Sequence, residues 1–175
     1  MQYVALLRGI NVSGKNAVKM IDLENLIENI GYFNVSTYKQ SGNVIFETNQ
    51  EIHTFEMEKL LESKMKEHFG LDISVLIRSK KNFAKYLKIN PFQHEYSTDN
   101  DKYHITFLKE NVVFSPEIFE NINFGDDKFC IIDSEIYLYC PNGYGKTKLN
   151  NIFFEKKLKT TATTRNWNTV EFLAK

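Results

Sequence analysis

At 175 residues the chain is sized for one domain, or for two small subdomains sharing a core. Hydrophobic residues make up 42% and aromatics 14%, with Phe (14) and Tyr (9) prominent, which is enough to build a core without disulfides or structural metals. Lys plus Arg balance Asp plus Glu at 22 each, which argues against a dedicated duplex-DNA binder while leaving room for a local basic patch.

The N-terminus opens on a short apolar run from Tyr3 to Leu7 that stops at Arg8, with neither the basic lead nor the length of a signal peptide. No apolar run approaches the roughly 20 residues of a membrane helix, so a cytoplasmic location away from membranes is expected. Residues 2–7 read as a strand. Met20, Leu23, Leu26, Ile27 and Ile30 then recur at helical spacing, with Gly31 as the stop. Residues 35–39 and 43–47 read as strands joined by a Gln40-Ser41-Gly42 turn. Ile52, Phe55, Leu61, Met65 and Phe69 predict a second helix ended by Gly70, and Ile73, Val75 and Ile77 alternate as a fourth strand. The order β-α-β-β-α-β is the ferredoxin-like pattern.

Residues 80–88 predict a short helix closed by Asn90-Pro91, and the polar run 93–102 reads as a linker. Tyr103, Ile105 and Phe107 alternate as a strand, and Ser115-Pro116 supplies an N-cap and a first-turn proline for a helix through Ile122. Residues 129–133 and 136–140 predict a hairpin. If Ser134 and Glu135 form its turn, Cys130 and Cys140 point to opposite sheet faces, which predicts two free thiols in a reducing compartment. Leu149, Ile152, Phe153 and Leu158 make a helix, and a last short one covers residues 168–173. The expected fold is α+β with two ferredoxin-like (βαββαβ-type) subdomains, the second imperfect. Residues 1–79 form the first, 80–101 a helix and linker, and 102–175 the second with a C-terminal helix.

In a βαββαβ sheet the first and second strands run parallel, with the third antiparallel between them. The loop after strand one (residues 9–19) and the turn at residues 40–43 therefore emerge at the same end. The loop carries Arg8, Gly9, Asn11, Gly14, Lys15 and Asn16 and almost nothing apolar. Backbone N–H groups and cations at the end of a strand suit an anion. The same loop nearly spells a P-loop, but Asn16 stands where a Mg²⁺-binding hydroxyl belongs. A second near-match, Gly143-Tyr144-Gly145-Lys146-Thr147, keeps Gly-Lys-Thr but has Cys140 at the opening glycine position, and the parallel-sheet context of an NTPase is missing from both. RNA-recognition domains share the βαββαβ order, yet the third strand here offers only Phe46 for stacking on bases and the first only Tyr3.

The tail at residues 160–170 joins threonines and asparagines to Arg165 and Trp167. Asn166 or Asn168 would cap a terminal helix and Trp167 would pack into a groove, while the Arg165 guanidinium suits either a phosphate or carboxylate ligand or a structural ion pair. His53, His68, His94 and His104 are scattered without ligand spacing, so no metal site is expected, and no Ser-His-Asp or Cys-His set is legible.

The motifs Ala5-Leu6-Leu7-Arg8-Gly9-Ile10-Asn11-Val12, Gly14-Lys15-Asn16, Met20 with Leu23, and Thr37-Tyr38 with Gln40-Ser41-Gly42-Asn43-Val44 belong together with Asn90-Pro91-Phe92 and Thr163-Thr164-Arg165-Asn166-Trp167-Asn168-Thr169-Val170. This set resembles the domain of unknown function 1697 family across essentially the whole chain, with Ser13 replacing the family's usual second glycine. The resemblance implies a bacterial cytoplasmic protein of two ferredoxin-like α+β subdomains and carries over no activity and no catalytic residue.

From the residues themselves the expectation is a polar cleft at one sheet end. Arg8 and Lys15 would supply charge, Gly9 and Gly14 would let amides approach, and Asn11, Asn16, Ser41 and Asn43 would orient a ligand, with Lys146 and Arg165 closing the cleft from the second half. The ligand class is an anionic small molecule, a nucleotide or phosphorylated metabolite, or a nucleic-acid end. The sequence names no cofactor, no general base and no oligomeric state. The competing expectation is a structural or protein-interaction module, in which Arg8 pairs with a buried carboxylate and the loop amides satisfy backbone groups.

Overall fold

The apolar run Tyr3 to Leu7 forms the central strand β1 (Gln2–Leu7), and all five of these residues are buried. In this computed structural model, which describes residues 1–12, 14–92 and 96–175, the chain divides into two units: Met1–Lys85 with Leu173–Lys175, and Tyr86–Phe172. Ser13, His94 and the first part of the linker expected at 93–102 lie outside the described residues. Among the described residues, no helix is long and apolar enough to cross a membrane.

The first unit follows β1 with α1 (Met20–Asn29), β2 (Phe33–Tyr38), β3 (Asn43–Glu47), α2 (Thr54–Phe69) and β4 (Val75–Ser79). Its four-stranded antiparallel sheet has the order β2-β3-β1-β4, the ferredoxin-like arrangement. Tyr3, Ala5 and Leu7 of β1 pack with Val44 and Phe46 of β3 against Leu23 and Ile27 of α1 and Met57, Leu61 and Met65 of α2. Those helical residues recur every three or four positions, as one buried helix face requires. Gly70 ends α2 in the left-handed region, where its N–H and that of Leu71 take up the last carbonyls.

Helix carboxylates finish the sheet edges. Glu58 accepts the Ile77 N–H at 2.7 Å and Glu62 that of Val75 at 2.9 Å, on edge strand β4. On the opposite edge Glu24 accepts both the N–H and the hydroxyl of Thr37 at 2.8 Å. These bonds occupy amides that an open edge would offer to another chain.

Helix α3 (Lys80–Lys88) leads into the second unit, which contains β5 (Tyr103–Leu108), β6 (Lys128–Ile132), β7 (Glu135–Tyr139), α4 (Asn151–Leu158) and β8 (Ala162–Asn166), and the chain closes with α5 (Trp167–Ala174). The sheet order is β6-β7-β5-β8, strand for strand that of the first unit. Phe154 and Leu158 of α4 pack on Leu108, Ile136, Leu138 and Ala162.

Three expectations are corrected here. The helix starting at Ser115-Pro116 is one 3₁₀ turn, Pro116–Phe119, and the Ser115 side chain makes no capping bond. Phe114, Phe119 and Phe124 recur every fifth residue, which no helix face can align; instead Phe119 and Phe124 meet Phe129, Phe153 and Phe154 through edge-on ring contacts, and Phe114 meets Phe119 edge-on. The hairpin turn is Asp133-Ser134, one residue earlier than expected, with Asp133 at φ +57° and Glu135 already paired in β7. Cys130 and Cys140 are both free. Residues 162–166, to which the sequence pattern assigns no element, form strand β8, and the second sheet is thereby complete. Asn166 caps α5, accepting the Thr169 N–H at 3.0 Å, and Trp167 is buried beside Tyr103.

Candidate functional site

The loop after β1 and the β2–β3 turn meet at one end of the first sheet, and Gly42 makes the approach close. Its φ is +71°, and a Cβ there would lie 2.7 Å from Leu7 Cβ and 2.9 Å from Ile10 Cδ1, so only glycine fits. The Leu7 N–H donates to the Gly42 carbonyl at 2.8 Å and the Arg8 N–H to the Ser74 carbonyl at 2.9 Å. These two bonds fix where the loop leaves the sheet.

The loop then reverses repeatedly. Gly9, Asn11, Gly14 and Asn16 all have positive φ, between +49° and +75°. Left-handed residues interleaved with ordinary ones are the backbone pattern from which anion-binding nests are built. Asn11 is the clamp. Its Nδ2 donates to the carbonyls of Val18 and Gln40, both at 2.9 Å, while its Oδ1 accepts the Val18 N–H at 2.8 Å. Asn16 Nδ2 donates to the Gly9 carbonyl at 3.0 Å, and the N–H groups of Asn11 and Lys15 bond to Asn16 and Val12 carbonyls. The N–H groups of Gly9, Ile10 and Gly14 make none of these bonds, and a Cβ on Gly9 or Gly14 would meet only open space.

In the adjoining turn the buried Asn43 donates from Nδ2 to the Tyr38 carbonyl at 2.9 Å and to Ser41 Oγ at 3.0 Å. The amides of Asn11, Asn16 and Asn43 are thus engaged with the protein itself. Arg8 is half-buried at the loop's root, and Lys15 stands exposed at its tip. The sequence indicated the meeting of loop and turn through topology, but missed the backbone acceptors of Val18, Gln40 and Ser74, which no side-chain pattern reveals.

The family described as "Protein of unknown function (DUF1697)" matches residues 1–137, a span that includes the whole loop and turn. The chain belongs to the DUF1697 family. A search of curated protein sequences gives no match. The DUF1697 chain is similar in structure to the conserved bacterial protein SP0830 from Streptococcus pneumoniae, with a TM-score of 0.76 and 24% identity over 99% of this chain and 96% of that one. That likeness speaks for the fold alone.

Lys146 and Arg165 of the DUF1697 chain belong to the second unit. Arg165 is 6% exposed on β8 and donates from Nη1 to Thr163 Oγ1 at 2.7 Å and to the Thr164 carbonyl at 2.9 Å. Burial pushes its guanidinium down to about 10, so it stays charged at neutral pH. Lys146 ends the 3₁₀ turn Tyr144–Lys146 and lines a cavity of about 460 Å³. The P-loop likeness fails at this point. Thr147 spends its hydroxyl on Asp127 and on the Leu149 N–H, α4 starts only at Asn151 under an Asn150 cap, and both sheets are antiparallel. Phe46 is fully buried and stacks on Tyr32 and Tyr3, so it offers no face to a base. His104 is buried and stacked 4.7 Å from Tyr144, its Nδ1 has no hydrogen-bond partner among the described residues, and burial lowers its pKa to about 4. Among the described residues, no group of three or more His, Cys, Asp or Glu is placed to hold a metal ion.

Proposed function

We propose that the loop between β1 and α1 binds a small anion, as a nucleotide or phosphorylated metabolite or as a nucleic-acid end, with Lys15 and Arg8 supplying charge and the amides around Gly9 and Gly14 supplying donors. One comparison carries this reading. The second unit makes the same framework bonds, Leu108 N–H to the Ser134 carbonyl and Lys109 N–H to the Thr161 carbonyl at 2.9 Å each, yet none of residues 110–120 that follow has a positive φ. The fold therefore does not require the four left-handed residues of the first loop, and an anion-binding nest gives them a purpose. In this reading Asn11, Asn16, Ser41 and Asn43 act by holding the loop in shape. The reading includes a cytoplasmic location, supported by the free thiols of Cys130 and Cys140.

A thermal-shift series with inorganic phosphate, ATP and a 5′-phosphorylated trinucleotide tests it. A ligand that binds only the folded protein raises Tm as its concentration passes Kd. The expected result is a rise for wild type that is lost in a folded Arg8→Ala variant. No rise with any probe, together with a marked fall in Tm from Arg8→Ala alone, makes the loop architecture and overturns the reading.

A further inference from the structure

The cavity of about 460 Å³ in the second unit lies between two loops, one running through Asn123 and Asp127 and the other through Asn142 and Lys148. Two bonds tie these loops together. Thr147 donates from Oγ1 to Asp127 Oδ2 at 2.5 Å, and Lys148 Nζ donates to the Asn123 carbonyl at 3.0 Å. Thr147 is itself buried, and its hydroxyl also accepts the Leu149 N–H at 3.0 Å, so the walls are set before any ligand arrives. Asn123 Oδ1 further accepts the Gly125 N–H at 2.8 Å, which fixes the tight bend ahead of Asp126.

These ties leave a short remainder. Asp126, Lys146 and Asn142 all line the cavity, and among the described residues none of their side chains makes a hydrogen bond or ion pair. A carboxylate from one loop and an ammonium from the other thus share one concavity without pairing. The half-buried ring of Phe124, held edge-on by Phe129 and Phe153 at 5.5 and 5.6 Å, adds an apolar wall. The volume falls in the range of small-molecule sites, with Phe124 as the apolar part of a lining that is otherwise polar and charged.

We infer that this cavity binds a free α-amino acid with an apolar side chain, its ammonium on Asp126, its carboxylate on Lys146 with Asn142 beside it, and its side chain on Phe124. Each charge of such a zwitterion meets its opposite, and no net charge is brought to the surface. An anion alone would satisfy Lys146 while being repelled by Asp126. A simple cation would do the reverse. The residues of this site all belong to the second unit, and the inference stands or falls independently of the reading of the loop after β1.

Calorimetric titration of wild type with L-phenylalanine, phenylalaninamide and N-acetyl-L-phenylalanine tests the inference, because each analogue lacks one charge. The expected result is binding of phenylalanine with each analogue at least tenfold weaker. Asp126→Asn should erase the preference over the N-acetyl analogue alone, and Lys146→Met the preference over the amide alone. Both side chains lie outside the bonds that tie the loops, so Tm should hold in both variants. Absence of heat with phenylalanine and with leucine, isoleucine, valine, methionine and tryptophan overturns the proposal. So does binding that neither substitution alters.

Discussion

The two units share one framework and differ in what they add to it. Leu7, Arg8, Gly42 and Ser74 of the first make the bonds that Leu108, Lys109, Ser134 and Thr161 make in the second. Glu62 closes the start of β4 as Glu155, accepting the Ala162 N–H at 2.9 Å, closes the start of β8. On that scaffold the first unit carries a helix and a polar loop of left-handed residues, whereas the second replaces both with a chain that packs Val112, Phe114 and Phe119 on its core. A duplicated framework thus separates what a fold needs from what one copy has in addition. The glycines and asparagines of residues 9–16 fall in the second category, and so does the glycine at position 42, whose counterpart is Ser134 and whose neighbours include Ile10 of the loop; the carbonyl bond at that position falls in the first.

Gly42→Ala is expected to have the largest effect. The added methyl meets Leu7 Cβ at 2.7 Å in a left-handed position, and overpacking plus backbone strain should cost about 3 kcal/mol or more in a denaturant titration. Ser134→Ala, at the matching turn position, adds no atom and removes one hydroxyl bond to the buried Glu135, so it should cost only about 1 kcal/mol. Equal costs would break the comparison.

Acid should separate the units next. His104 occupies the place in β5 that Tyr3 holds in β1, by the pairing of each strand with its neighbours. Its folded pKa of about 4 lies below the ordinary 6.5 because burial disfavours the charged ring. Between these values the unfolded chain binds more protons, so stability is full above pH 6.5 and falls as pH drops toward 4, by on the order of 3 kcal/mol. His104→Tyr, which installs the residue of the first unit, should flatten this part of the Tm-against-pH curve. An unchanged slope would show that other groups govern it.

Edge closure should differ by depth. Glu58 is 3% exposed and its carboxylate holds the buried Ile77 N–H, so Glu58→Ala should cost about 2 kcal/mol. Glu155→Ala, at a half-buried carboxylate, should cost about 1 kcal/mol. Urea unfolding of the two variants side by side would reveal a reversed order.

Asn11→Ala sharpens the reading of the loop at a modest expected loss of stability, about 1 kcal/mol, because it removes three bonds from a segment that is largely exposed. Phosphate affinity should fall more than tenfold in this variant, since the loop is no longer held in shape. An affinity unchanged from wild type would mean that the clamp and the binding groups are unrelated.

Much of this architecture is legible in the residues. The apolar run of β1, the alternation of Val75 and Ile77 in β4 and of Tyr103, Ile105 and Phe107 in β5, the helical spacing of Leu23, Leu26 and Ile27, and the stops at Gly31 and Gly70 each state a pattern or a break directly. Strand β8 was not legible, because Thr163, Thr164 and Arg165 bury polar groups that are satisfied only across the sheet, as when Thr106 and Thr164 share a hydroxyl bond of 2.6 Å. Ser115-Pro116 gave a valid helix-start signal, but the fivefold spacing of the phenylalanines after it favoured packing over helix. At the loop, topology foretold the meeting with residues 40–43. The role of Asn11 stayed hidden because two of its partners are the carbonyls of Val18 and Gln40. The pairing of Asp126 with Asn142 and Lys146 in one cavity was hidden too, since hairpin β6–β7 separates them in sequence.

Titration calorimetry of pyrophosphate into wild type, Lys15→Ala and Lys109→Ala tests the central claim most directly, because the last two each remove one cation from the two matching loops, the exposed Lys15 from the first and the half-buried Lys109 from the second. The account predicts binding by wild type, at least tenfold weaker binding by Lys15→Ala, and wild-type affinity for Lys109→Ala. No binding by wild type, or equal losses in the two variants, would contradict it.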